Sequence, residues 1–333
     1  MRRSSAETPP PAELDEEIKS VAAFLRSMNF QVGVLLGCML HLWATHGFAS
    51  DVWPGASGIA LIDAERVVSV HDIKPRTSDG SDGWLGVFDL PAGKGNPLSW
   101  RQLKSNLADT SPLPRDIESI SLVPGTSSIL IGESGVIGIN QQRLFQLVEV
   151  GSQWKVTHVF NWPWPVSNTE GMEVCRIGHN DYFVSAERSD GASFVNLVWS
   201  RVDTTSWRFG EVFRTRFSPP TLKARSGQRL ISSLSCDETG TLYGAASFDP
   251  GNDSGPFRSV VFEIGTFHED GASTELRISP QPLHLIVPGF KIEGLVVSKG
   301  RRGSETRALI ATDDEGMGAA IRWVHFPLDK NFH

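Results

Sequence analysis

Cysteine is nearly absent: 333 residues contain three, Cys38, Cys175 and Cys236, too few for a scaffold stapled by several disulfides. Basic clusters are missing as well. The formal charge is −7 and after the N-terminal segment no basic cluster exceeds the pair Arg301-Arg302, which excludes the electrostatic footprint of a nucleic-acid binder. No long segment of helical period follows residue 50, so a bundle or an α/β fold is not expected. The longest mostly apolar run, Val32 to Trp43, is interrupted by His41 and is short for a transmembrane helix. Nine histidines form no pair at zinc-ligand spacing, and Gly132-Glu133-Ser134-Gly135 has the wrong spacing for a serine-hydrolase elbow.

What the chain does contain is repetition. A small residue preceded by Ser or Glu opens an apolar strand, and a second strand ending in an acid follows it. Ser57-Gly58-Ile59-Ala60-Leu61 precedes Val67 to Asp72, and Glu118-Ser119-Ile120-Ser121-Leu122 precedes Ile129 to Glu133. Glu170-Gly171-Met172-Glu173-Val174 precedes Tyr182 to Glu187, and Glu293-Gly294-Leu295-Val296-Val297 precedes Ala308 to Asp313. A weaker copy has Ser232-Ser233-Leu234-Ser235-Cys236 with Leu242 to Ser247. The anchors Gly58, Ser119, Gly171, Ser233 and Gly294 are spaced by 61, 52, 62 and 61 residues, a period that signals repetition of one β unit.

Two further alternating runs follow each of the first four pairs, such as Trp84 to Leu90 and Pro97 to Leu103, and four strands make a propeller blade. The expected fold is all-β: a propeller of five four-stranded blades, with six as the alternative. With 40% hydrophobic residues, 32 Gly and 20 Pro, the composition fits one turn-rich domain over residues 50–333. The last unit, ending with Ala320 to Phe326, lacks a fourth strand, which Asp51 to Trp53 would supply.

Residues 1–49 read as a polar extension followed by a signal peptide, with Gly47 and Ala49 at the cleavage-site positions. The protein is therefore expected to be secreted or periplasmic, with an uncleaved membrane anchor as the alternative. Apolar residues continue past Cys38, against a lipoprotein site. The cleaved chain would keep Cys175 and Cys236, whose opposite strand parity predicts two buried thiols rather than a disulfide.

Antiparallel pairing puts the start of a first strand beside the end of the second. This predicts that Glu118 lies near Glu133, Glu170 near Glu187 and Glu293 near Asp313, with Asp72 in the matching place, and that rotation gathers all seven around the channel. Carboxylates held that close raise one another's pKa unless a cation intervenes, and Ca²⁺ suits such an oxygen ring. The contrary expectation is that each acid caps loop N–H groups or pairs with Arg115, Arg188 or Lys291. In the fourth copy Ser232 and Ser247 replace the acids, a gap through which a ligand could enter. His71, beside Asp72, reads as a packed residue before a general base. The Trp162-Pro163-Trp164-Pro165 loop either packs over a blade edge or lines a pocket.

The segments Asp116-Ile117-Glu118-Ser119-Ile120 with Gly132-Glu133-Ser134, Glu170-Gly171-Met172 with Ala186-Glu187-Arg188, and Lys291-Ile292-Glu293-Gly294-Leu295 with Thr312-Asp313-Asp314-Glu315-Gly316 resemble the phytase-like (esterase-like) propeller family of secreted bacterial proteins. The resemblance spans about residues 52–326. It departs from the pattern at Ser119, where Gly is usual, and in the acid-poor fourth unit. It implies an extracytoplasmic propeller acting on a small ester or phosphoester. In that expectation Ca²⁺ is held by Glu118, Glu170, Glu293 and Asp72, while Glu133, Glu187 or Asp313 completes the shell or serves as catalytic base. A non-catalytic binding or scaffold propeller with structural acids is the second expectation, because fold alone does not grant function.

Overall fold

The computed structural model describes residues 55–72, 84–90, 99–136, 142–189, 192–222, 227–270, 273–280, 284–299 and 306–326. Blade one contains β1 (Gly58–Leu61), β2 (Arg66–Val70), β3 (Leu85–Asp89) and β4 (Ser99–Gln102), paired in that order. A short β5 (Lys104–Ser105) runs parallel to the outer strand of blade two, which contains β6 (Ile117–Leu122), β7 (Ser128–Glu133), β8 (Arg143–Val150) and β9 (Gln153–Asn161). Blade three contains β10 (Thr169–Ile177), β11 (Asn180–Glu187), β12 (Val195–Asp203) and β13 (Arg208–Phe217).

Blade four contains β14 (Gln228–Cys236), β15 (Thr241–Phe248) and the long β16 (Arg258–Asp270). The far half of β16 pairs with β17 (Ser273–Ile278) and its near half with β18 (His284–Pro288). Blade five contains β19 (Ile292–Lys299), β20 (Thr306–Thr312) and β21 (Ile321–His325). The sequence pattern did not resolve β17, whose Leu276 packs into the core shared with blade three. The proposed closing strand at Asp51 to Trp53 and the N-terminal segment lie outside the described residues.

Five blades close the ring, and the cores prove the count. One apolar cluster joins blades one and two around Val70, Leu85, Ile120 and Phe145. Others join two to three, three to four, and four to five. A fifth, with Ala56, Ile59 and Phe88 against Leu309 and Ala311, joins blade one to blade five.

The small residue that opens each inner strand exists because the next blade comes so close. A β-carbon added at Gly171 would lie 2.8 Å from Ile231 Cγ2 and Leu234 Cγ; at Gly294, 2.9 Å from Ile59 Cγ1; at Gly58, 3.1 Å from Ile120 Cγ2. Ser119 Oγ likewise sits 3.9 Å from Met172 Sδ. In each case a bulky side chain of the following blade covers the small residue, and Ile59 over Gly294 makes the closing contact of the same kind.

The expectation of two free thiols is corrected: Cys175 and Cys236 form a disulfide, with Cα atoms 5.5 Å apart. The parity argument left out which faces the neighbouring blades turn toward each other. The two strands belong to neighbouring blades, which turn opposite faces toward each other, so opposite parity is what brings the sulfurs together within the core between blades three and four.

Replacing Gly171 with Ala should cost about 1–3 kcal/mol through overpacking against Ile231 and Leu234. Ser119→Ala, where a β-carbon is already accommodated, should cost under about 1 kcal/mol. Urea denaturation of both variants measures the contrast, and equal losses would mean that the close approach is not limiting.

Candidate active site at one mouth of the channel

Three glutamates reach the axis by the same backbone device. In blade two Ile117 pairs with Glu133 and Ser119 with Gly132, which leaves Glu118 as the extra residue of a bulge. Thr169 and Gly171 pair with Glu187 and Ala186, and Ile292 and Gly294 pair with Thr312 and Ala311, so Glu170 and Glu293 are bulged in the same way. A bulge bends its strand and re-aims the unpaired side chain. The small residue that follows lets the neighbouring strand close over it.

Glu118, Glu170 and Glu293 come together, as their mutual electrostatics require. Burial, then repulsion from Glu170, Glu293, Asp72 and Asp116, holds the Glu118 carboxyl well above the usual glutamate range. Glu293 is pushed up to about 8 by burial and by Glu170, against the pull of Arg229 and Lys291. Charge compensation comes from blades three to five. Arg188 Nη1 donates to Glu170 Oε1 at 2.8 Å, and Arg229 bridges Glu293 Oε1 at 3.1 Å and Asp249 Oδ2 at 2.7 Å. Lys291 Nζ, itself 3% exposed, lies 3.6 Å from Glu293 Oε1 and contacts Glu315.

On the opposite side of the axis, one oxygen each from Asp72, Asp116 and Glu118 lie within 4.8 Å of one another. Asp116 holds a left-handed backbone, φ 58°, a conformation in which Asp is among the residues best tolerated. Ser134 Oγ donates to its carboxylate.

The remaining expected residues divide. Asp313 stands at the rim, its Oδ2 3.9 Å from Lys291 Nζ, with its pKa raised by burial. Glu133 is withdrawn from the channel. It is fully buried, and its carboxylate accepts from Arg143 Nη2 at 2.6 Å, Arg143 Nε at 2.9 Å and the backbone N–H of Arg115 and Arg143. This is a structural ion pair. Glu187 turns away from the axis into a separate cavity on blade three, where Ser167 Oγ donates to it at 2.9 Å.

His71 is packed. Its Nδ1 is 2.7 Å from Gly55 O and its Nε2 2.9 Å from Ser69 Oγ, and burial lowers its pKa to about 4. The fourth-unit serines do not open a passage: Ser232 and Ser247 are fully buried, and both hydroxyls donate to Ile292 O, next to Glu293. Trp162 and Trp164 are buried and pack on Phe183.

Asp116, Arg229 and Asp249 escaped the sequence reading. Asp116 has the parity of Glu118, two residues on, and Arg229 pairs with Ser247 three residues ahead of the Ser232 that replaces the acid. Alignment on the small anchor alone passes over both.

The other mouth of the channel is a cavity of about 320 Å³ lined by all five inner strands, among them Leu61, Ser121, Glu173, Cys236 and Val297. Glu173, which reads as exposed in sequence, is drawn into this mouth. Ser121 Oγ donates to it at 2.8 Å, and burial pushes its pKa up to about 8.

No protein-family model matches the chain, and no curated protein does. Among solved structures, the chain is similar to a thermostable family-43 glycoside hydrolase, with TM-score 0.50 and 9% identity over 84% of this chain and 91% of that one. An exo-1,5-α-L-arabinanase from a bovine ruminal metagenomic library aligns with TM-score 0.44 and 11% identity, covering 86% and 98%. A Bacteroides ovatus xyloglucan-locus GH43B aligns with TM-score 0.45 and 11% identity, covering 84% of this chain and 53% of that one. The first of these shares the overall fold of this chain. Among the described residues no helix is long and apolar enough to cross a membrane.

Glu173 and Glu293 lose their protons near 8 in the folded state and near the ordinary value of 4.5 once unfolded. Between those values the folded state holds protons that the unfolded chain has released, so stability falls as pH rises from 4.5 through 8. Glu173→Gln should flatten that slope by up to about 1.4 kcal/mol per pH unit. Urea titrations at pH 5, 6.5 and 8 test this, and an unchanged slope would refute the assignment.

Proposed function

We propose that the acidic mouth is the active site of a hydrolase that cleaves glycosidic bonds, with Glu118 as proton donor and Glu170 as the ionised base. The observation that carries this reading is the packing of Glu118 among Glu170, Glu293, Asp72 and Asp116, which favours a neutral carboxyl beside charged ones. Glycoside hydrolysis needs that division: one carboxylic acid to protonate the leaving oxygen, and one carboxylate to activate water or attack. Arg188 keeps a cation 2.8 Å from Glu170, which suits the base. Glu293, held near 8, modulates the proton on Glu118. The likeness to a family-43 glycoside hydrolase fold adds support. A phosphoester would bring more negative charge among five carboxylates whose neighbouring cations, Arg188, Arg229 and Lys291, are already paired, so the phosphoester expectation gives way, and the fold likeness favours a glycoside over a neutral ester.

A second reading retains the expected Ca²⁺. Oxygen atoms up to 4.8 Å apart fit around an ion that takes ligands at about 2.3–2.6 Å, so Asp72, Asp116 and Glu118 would hold it. When bound, it would supply a Lewis acid and keep Glu118 ionised. Disulfide Cys175–Cys236 supports an extracytoplasmic location for either reading.

Assays with aryl arabinosides, xylosides, acetates and phosphates decide the substrate class. Glycoside turnover that falls by about 10²–10⁴ in Glu118→Gln supports the acid–base reading. Hydrolysis confined to esters, or turnover unaffected by Glu118→Gln, would sink it, and no turnover at all would favour a scaffold with structural acids. The Ca²⁺ reading has its own measurement: 1 mM Ca²⁺ should raise the thermal midpoint against a chelator control, and Asp116→Asn should abolish the rise. Identical midpoints with and without Ca²⁺ would remove it.

A further inference from the structure

Beside the acidic mouth, blade three changes character along a single face. On β11 the residues of one parity run Phe183, Ser185, Glu187; on β12, Val198, Asn196; on β13, Val212, Arg214, Arg216. The apolar ends, Phe183, Val198 and Val212, pack in the core shared with blade two. Cross-strand registry sets the polar ends side by side, with Ser185 against Val198, Val198 against Arg214 and Asn196 against Arg216. Together with Trp164, Val166 and Thr169 they line a groove of about 290 Å³, near the lower end of the range for small-molecule sites.

The groove is graded in charge. Its inner end holds Thr169 and Glu187, which pair with each other and precede Glu170 and Arg188 of the proposed site. Its outer end holds two exposed guanidiniums. That of Arg216 is fixed in orientation: Nε donates to Asn196 Oδ1 at 3.1 Å, and its carbon sits 4.5 Å from the centroid of Phe194. A stacked, hydrogen-bonded guanidinium is organised in advance for a planar carboxylate. Trp164 is anchored as the wall, its Nε1 donating to Ser185 Oγ at 2.9 Å.

We propose that this groove binds an acidic unit of a saccharide chain, a uronate whose carboxylate meets Arg214 and Arg216 and whose hydroxyls meet Glu187 and Asn196. The proposal rests on the glycoside reading and extends it: a chain lying in the groove would run from blade three toward Glu170 and Glu118, so the enzyme selects acidic over neutral glycans.

Titration calorimetry on the Glu118→Gln protein, with trigalacturonate and neutral xylotriose as probes, tests binding without requiring turnover. Trigalacturonate should bind, and 0.5 M NaCl should weaken it. The double change Arg214→Ala with Arg216→Ala should weaken it at least tenfold while leaving any xylotriose binding and the thermal midpoint unchanged. Single Arg214→Ala and Arg216→Ala variants should each give a partial loss. Absence of trigalacturonate binding, or equal binding by the double variant, overturns the proposal. Because binding is read separately from hydrolysis, turnover of neutral glycosides without trigalacturonate binding rejects the groove alone. Trigalacturonate binding that needs both arginines, in a protein that hydrolyses no glycoside, rejects the catalytic reading and leaves the groove as a binding site.

Discussion

The close approach of neighbouring inner strands governs this molecule. At Gly58, Gly171 and Gly294 a β-carbon would meet the next blade at 3.1 Å or less, so the first residue of each apolar strand must be small. Four such contacts, counting Ser119 under Met172, draw the inner strands together around the channel, and a narrow channel confines whatever side chains project into it. The bulge immediately before the small residue delivers a glutamate into that space in blades two, three and five. Packing and chemistry are therefore two results of one local sequence, Glu followed by Gly or Ser.

Confinement sets the electrostatic problem that the rest of the site answers. Several carboxylates near one axis cannot all be charged at ordinary cost. Blades three to five respond with Arg188, Arg229 and Lys291, while the side formed by blades one and two gathers Asp72, Asp116 and Glu118 with no cation among its described partners. Blade four plays the complementary part. Its Arg229 reaches Glu293, and its serines secure the backbone that carries Glu293. The asymmetry between blades thus sets Arg188, Arg229 and Lys291 on one side of a repeated frame.

Much of this was legible in the sequence, and for a physical reason. Alternation, the small anchors and the acid at each strand end are local patterns, so strand order, blade number and the axial placement of Glu118, Glu170 and Glu293 follow from them. What escaped depends on relations between blades. The Cys175–Cys236 bond needed the knowledge that facing sheets reverse parity. Glu133 looked like its repeat partners until Arg143, ten residues later and on the adjacent strand, claimed both of its oxygens. Glu187 has the same strand-end position, yet without a bulge of its own its side chain follows the pleat onto the face of the sheet. Glu173 read as exposed because alternation alone does not say that the far mouth of a closed ring is enclosed.

The disulfide has a topological consequence. It closes a covalent loop from Cys175 to Cys236, and within that loop lie β11 to β13, Glu187, Arg188, Arg214, Arg216 and Arg229. Blade five meets blade one through the apolar cluster around Ile59 and Leu309 and a backbone hydrogen bond from Ala56 N to Thr312 O, with no disulfide among the described residues. The arginine-bearing sector is thus tethered covalently across one seam, whereas the seam between blades five and one is held by non-covalent contacts among the described residues.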